Sequence, residues 1–110
     1  MENPKYVITK DISGRFRFVL RSKNGEIILR ASEGYSTNAG CRGGIASCQV
    51  NSPYDARYER KTSTSYSFNL KAQNGEVIGV SESYNTSYGR DNGIEACKKD
   101  GPTKSIEDNS

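Results

Sequence analysis

The stretch NGEIILRASEGYSTNAGCRGGI, Asn24 to Ile45, decides the fold, because the chain writes it again as NGEVIGVSESYNTSYGRDNGI, Asn74 to Ile94. Extended to Phe18–Pro53 and Phe68–Pro102, with one gap opposite Arg30, the two copies are identical at some two-fifths of aligned positions. A unit of about 50 residues exposes too much surface for the core it can enclose. Two copies in one chain cover each other, as the subunits of a twofold dimer do. The expectation is a single domain over 1–110, with repeat one at about 5–53 and repeat two at about 57–107.

Each copy reads outward from its Asn-Gly. Before Asn24, Phe16, Phe18 and Leu20 alternate with Arg15, Arg17 and Arg21, the period of a strand with one buried face; Val19 is the apolar exception. Asn24-Gly25 predicts a two-residue type I′ hairpin, both of whose central residues need positive φ. The return strand runs from Glu26 to about Ser32, and the unmatched Arg30 inside it predicts a bulge. A helix follows Tyr35, with Ser36 as N-cap, and ends near Asn51-Ser52-Pro53. Its buried stripe is Cys41, Ile45 and Cys48, at i, i+4 and i+7. Gly40 and Gly44 beside that stripe cost helix stability, so they predict a close approach of the backbone to a neighbour. Gly89 and Gly93 repeat them in the second helix, which spans about Thr86 to Lys99. Tyr6 to Thr9 opens repeat one and Arg57 to Thr62 opens repeat two, while Thr103 to Glu107 makes a last strand. Met1–Pro4 and Asp108–Ser110 read as frayed ends. The class is therefore α+β, with the apolar faces of the strands under two helices and the opposite face open.

Composition narrows the function. Hydrophobic residues are only 33% of the chain, which suits a thin core covered on one side. Residues 1–53 hold eight Lys/Arg against four Asp/Glu and residues 54–110 hold eight against nine, so +4 and −1 make the net +3. That falls short of a nucleic-acid-binding tail. No segment approaches the roughly 18 apolar residues of a membrane span, and Val7-Ile8 gives way at once to Thr9-Lys10-Asp11, unlike a signal peptide. A cytoplasmic protein is expected, and Cys41, Cys48 and Cys97 read as buried small hydrophobes, since three cysteines without close spacing make no metal set.

The same segments, with Asn51-Ser52-Pro53 before Ala56-Arg57-Tyr58-Glu59 and with Tyr66-Ser67-Phe68-Asn69-Leu70-Lys71-Ala72, resemble the YegP-like family, small bacterial and archaeal domains of unknown function. The resemblance runs from Tyr6 to about Asp108. It implies two tandem β3-α-β units in one antiparallel sheet, with the strand after each helix exchanged into the other half, a pseudo-dimer in one polypeptide. Tyr88, Arg90 and Gly79 depart from the first copy, standing where it has Ala39, Cys41 and Leu29. The family brings no catalytic residue, cofactor, metal or partner.

Chemistry points away from an enzyme. With no histidine the commonest general base near neutrality is missing, and neither a G-x-S-x-G turn nor a phosphate-binding glycine loop is present. Glu33 and Glu82, in the repeated Ser-Glu-x-Tyr, could meet across a cleft, but the simpler expectation places each near the positive end of its helix. The open face presents Arg15, Arg17, Arg21 and Lys71, the candidate surface. Phosphate contact there is possible in principle, yet Phe16 and Phe18 point to the buried side, leaving no stacking platform for bases. The expected role is a small non-catalytic protein-interaction or structural module, without cofactor or membrane and monomeric because the tandem repeat replaces a dimer; weak nucleic-acid binding is the alternative. The helix outer surfaces with Arg42 and Arg90, and the tyrosines Tyr54 and Tyr88, are further places for a partner.

Overall fold

The computed structural model describes residues 3–110. Strands β1 (Lys5–Lys10), β2 (Phe16–Arg21) and β3 (Ile27–Ala31) precede helix α1 (Asn38–Asn51). After a single 3-10 turn at Asp55–Arg57, β4 (Tyr58–Lys61), β5 (Ser67–Lys71) and β6 (Val77–Val80) precede α2 (Ser87–Asp100), and β7 (Ile106–Asp108) ends the chain. One seven-stranded sheet has the order β4-β5-β6-β3-β2-β1-β7. The halves meet where β3 and β6 pair antiparallel, Arg30 with Val80 and Ala31 with Gly79.

Why these elements form is local. Alternation in β2 and β5 buries Phe18, Leu20, Phe68 and Leu70 completely, and these meet Ile45 and Cys48 of α1 and Ile94 and Cys97 of α2 in one core. Burying each such side chain contributes roughly 1.5–3 kcal/mol against leaving it exposed. Thr37 and Thr86 start the helices, their hydroxyls accepting from the Gly40 and Gly89 N–H groups at 2.9 Å each. The cap of α1 is therefore Thr37, one residue beyond Ser36, because Thr37 has the extended backbone of a cap and its hydroxyl is the one that takes the Gly40 N–H. The far ends are tied crosswise. Tyr6 Oη donates to the Gly101 carbonyl and Tyr58 Oη to the Ser52 carbonyl, each at 2.7 Å. A strand of each half thus holds the helix of the other.

Several sequence expectations are corrected. Among the described residues only glycines have positive φ, so the Asn-Gly hairpins are not type I′. Gly25 (φ 87°) and Gly75 (φ 89°) follow ordinary turns that begin at Ser22 and Ala72, a type I turn closed by one left-handed glycine. Asn24 and Asn74 fold their side-chain oxygens back onto the Glu26 and Glu76 N–H groups. Arg30 makes no bulge: it faces Val19 as Val80 faces Asn69. The register shifts instead after Leu20 and Leu70, so Ile28 and Ile78 are the extra residues in both copies. The unmatched residue of repeat one lies further on, in the connection 32–34.

The sheet is also not wholly antiparallel. β7 runs parallel to β1, Tyr6 facing Ile106 and Ile8 facing Asp108. Only the strand after α2 crosses to the other half; the strand after α1 is β4, which pairs with β5 of its own half. Asp108–Ser110 are ordered, not frayed. The Asn109 N–H donates to the Ile8 carbonyl at 2.8 Å, and the Asp108 carboxylate accepts from Asn38 and Arg42 at 2.9 Å each. Of the expected frayed start, Met1 and Glu2 lie outside the described residues, while Thr103 donates to the Pro4 carbonyl at 3.1 Å.

Candidate functional site

The open face of the sheet carries the residues singled out from the alternation. Across its centre one register row runs Glu107, Val7, Val19, Arg30, Val80, Asn69, Glu59. Val7, Val19 and Val80 are the apolar members of this row, with Arg30 between Val19 and Val80 and Val7 itself nearly buried, and Arg17 and Arg21 lie to either side of Val19 on β2. Alternation along β2 places Arg17 and Arg21 on the same face as Val19, and Arg15 immediately precedes the strand. They do not form a bare cationic patch. Arg17 pairs with Asp11 at 2.8 Å, Arg30 with Glu82 at 2.7 Å, Lys5 with Glu107 at 2.7 Å and Lys71 with Glu59 at 3.6 Å. Lys71, from the other half of the sheet, stands apart from the three arginines. Arg21 donates to the Gly25 carbonyl at 2.8 Å, and Arg15 lies against Gly34. Arg15, Arg21 and Lys61 have no carboxylate partner among the described residues. The face therefore keeps a small positive excess over a solvated ladder of ion pairs, each worth at most about 1 kcal/mol.

Asp11 organises the rim of this face. It accepts from the Ser13 hydroxyl and the Arg17 guanidinium, which, with backbone N–H groups, hold its carboxyl well below the usual carboxylate range. The same turn lifts Ile12 fully into solvent. Its helix-side counterparts differ from expectation. Arg42 is on the outer surface and bound to Asp108, but Arg90 is buried, its guanidinium 5.6 Å from the centre of the Tyr66 ring. Arg90 fills in α2 the place Cys41 fills in α1, and its alkyl stem packs where a small thiol would leave a gap. Tyr54 and Tyr88 are exposed as expected.

Glu33 and Glu82 do not converge on a shared centre. Glu82 is drawn to Arg30 on the open face, neither helix has an acidic residue in its first turn, and Glu33 stands beside Tyr35. Among the described residues no group of three or more His, Cys, Asp or Glu side chains is placed to hold a metal ion. All three cysteines are buried and free. Burial raises each thiol, that of Cys97 to about 11, so none is poised as a nucleophile.

Alternation alone could not show a pair of clefts flanking the helices. One lies between α2 and the first hairpin, lined by Ile27, Ile28, Tyr84, Gly93 and Ala96, with a volume of about 350 Å³. Its counterpart lies between α1 and the second hairpin, lined by Val77, Ile78, Tyr35, Gly44 and Ser47, with a volume of about 510 Å³. Each sets the hairpin of one half against the helix of the other. The repeated glycines explain the contact. A Cβ on Gly44 would meet the end of the Tyr35 ring, Cζ at 2.7 Å and Oη closer still; one on Gly93 would meet Tyr84 in the same way. The signal was present in the sequence as the Gly-x3-Gly spacing, but its partner, a tyrosine before the same helix, was not.

No helix is long and apolar enough to cross a membrane among the described residues. The family described as a domain of unknown function, DUF1508, matches the chain twice, over residues 11–59 and 62–108. A UPF0339 protein in the ptx operon 5' region of Stutzerimonas stutzeri is 47% identical over 103 residues, covering 92% of both chains. The YegP protein of Escherichia coli K12 is 41% identical over 107 residues, covering 96% of both. The solution structure of E. coli YegP, described as a protein of unknown function, superposes with a TM-score of 0.90 at 39% identity, over 99% of this chain and 95% of that one. A UPF0339 protein from Shewanella oneidensis gives 0.89 at 40%, over 96% and 91%. Two copies of one motif, one shared sheet and these likenesses agree: the chain belongs to the DUF1508 family, the UPF0339 proteins typified by YegP, whose function is unknown.

Proposed function

We propose that this chain is a non-catalytic binding module, working in the cytoplasm as a monomer without cofactor, that offers its open sheet face to a protein partner carrying an acidic surface. The observation that carries this reading is the row of Val7, Val19 and Val80, flanked by Arg17, Arg21 and Arg15. A sheet face with valines set among ion pairs and excess cations beside them fits an interface that buries small apolar side chains and steers the partner by charge. The ladder of ion pairs and the lack of aromatic side chains on that face count against single-stranded nucleic acid. The test is fluorescence anisotropy at low salt with two labelled probes, a leucine- and glutamate-rich peptide and a single-stranded RNA. Saturable binding of the peptide, weakened at least about tenfold by Arg17→Glu with Arg21→Glu, is the expected result. No peptide binding, or an equal response to RNA that the double variant abolishes, overturns the proposal.

A further inference from the structure

β1 and β4 open the two repeats and hold equivalent places, Tyr6 facing Leu20 and Ile8 facing Phe18 as Tyr58 faces Leu70 and Arg60 faces Phe68. Their outer sides differ. Outside β1 lies β7, parallel to it; the Tyr6 N–H donates to the Ser105 carbonyl at 3.0 Å and the Asn109 N–H to the Ile8 carbonyl at 2.8 Å. Outside β4 no strand lies among the described residues, and β4 ends the sheet. The chain leaving α1 turns back at once, and its 3-10 turn sets the Asp55 carbonyl against the Tyr58 N–H. The shared register identifies the groups left bare. Phe68 spends its N–H and its carbonyl on Ser81 of β6, so Arg60 opposite it turns its own N–H and carbonyl outward, as Ile8 does. Neither has a partner among the described residues. Exposed Glu59 and Lys61 flank them on the open face, where β1 has Val7 and Thr9, and Lys61 lacks a carboxylate. On the helix side, Ser87 and Asp91 of α2 stand where Asn38 and Arg42 of α1 hold Asp108 of β7.

We propose that an extended segment of a partner protein completes this edge, added parallel to β4 as β7 is added to β1, and that it carries Lys-x-Glu. In the register of β7 the lysine falls beside Glu59 and the glutamate beside Lys61, both on the open face. The residue between them turns towards Ser87 and Asp91, a place that suits a hydroxyl donor such as threonine. Unpaired N–H and carbonyl groups in a row are a template for another strand. Backbone bonds to Arg60 hold the segment, and cross-strand charge pairs select it. The charges on β4 that keep an arbitrary strand off the edge are the same ones that admit a complementary strand. The other half of this chain shows the form of the occupant, because β7 is itself only three residues long.

The test is amide chemical-shift titration of the intact chain with two peptides, acetyl-Val-Lys-Thr-Glu-Val-amide and acetyl-Val-Glu-Thr-Lys-Val-amide. Seated parallel, the first meets Glu59 and Lys61 with opposite charges and the second with like charges; seated antiparallel, the two exchange roles. The first is expected to shift the amides of residues 58–62 saturably, with Arg60 N–H moving downfield, and to bind about fivefold tighter than the second. Glu59→Lys with Lys61→Glu, two exposed positions, is expected to invert that order. Arg60→Pro deletes the outward N–H, which the β4–β5 ladder does not use, and is expected to abolish binding while the rest of the spectrum stays folded. No saturable shift, equal or tighter binding of the second peptide, or an order unchanged by the double variant overturns the proposal. Shifts at residues 58–62 that follow protein concentration without peptide overturn it too, by giving the edge to a second copy. The sheet-face reading stands or falls separately, since its Arg17 and Arg21 lie on β2, four strands from β4.

Discussion

Replacing Gly44 with alanine separates what a glycine costs a helix from what it permits. Gly43 and Gly44 are neighbours in α1, and both forfeit about 0.8–1 kcal/mol of helix stability relative to alanine. A Cβ on Gly43 meets nothing within 4 Å, so Gly43→Ala is expected to stabilise the protein by about that amount. A Cβ on Gly44 would run into the Tyr35 ring end and reach Phe18 Cε2 at 3.2 Å. Tyr35 cannot retreat inward, because its ring stacks on Phe18 with centroids 6.4 Å apart and planes 23° from parallel. It must swing out, giving up a stacked contact of about 0.5–1.5 kcal/mol and its share of burial, and overpacking of this kind costs about 1–3 kcal/mol. Set against the propensity gain, Gly44→Ala is expected to destabilise by about 1–2 kcal/mol, leaving about 2–3 kcal/mol between the two neighbours. Urea unfolding with unchanged m reads this as midpoints about 1 M or more apart. In a Tyr35→Ala background the obstacle is gone, so Gly44→Ala should turn stabilising, a coupling that a double-mutant cycle measures. If Gly44→Ala and Gly43→Ala raise the midpoint equally, the account of the repeated glycines is wrong.

Two further outcomes follow from the same geometry. Cys41, Cys48 and Cys97 are fully buried with raised thiol pKa values; at pH 8 a disulfide reagent should label them only as fast as the protein opens, and rapid labelling of the native state would contradict the packing. Asp108 is held well below the usual carboxylate range by the Ser110 hydroxyl and N–H, then by Asn38 and Arg42. A depressed carboxyl contributes stability that is present above its unfolded value of about 3.9 and is lost as pH falls through the folded one; the melting-temperature deficit of Asp108→Asn should therefore be full at pH 6 and shrink towards pH 2, and a deficit constant across that range would remove Asp108 from the docking of β7.

Much of this molecule was legible in advance because alternation and repetition are local signals. Phe16, Phe18 and Leu20 announced a one-sided strand, and Gly40 with Gly44 announced a close approach. The errors came where a residue's role depends on a partner remote in sequence. Arg90 looked like an outer helix residue until Tyr66 and the Lys61 carbonyl were found beside it. Arg17 and Lys71 belong to the expected open surface, and alternation does not reveal that Asp11 and Glu59 pair with them. The Asn-Gly pairs were misread because side-chain hydrogen bonds from Asn24 and Asn74 stabilise a different turn from the one the dipeptide usually signals.

What the chain's sequence determined alone was the unit and its doubling: the strands and helix of each copy follow from periodicity, caps and breakers acting within a few residues. Tertiary structure decided which half each piece serves. Tyr6 holds the end of α2 and Tyr58 the end of α1, β7 leaves its own repeat for β1, and the two clefts join hairpin to helix across the halves. Those choices follow from burial. Neither unit can cover its own apolar face, so each completes the other, and no local pattern records which residues will meet when it does.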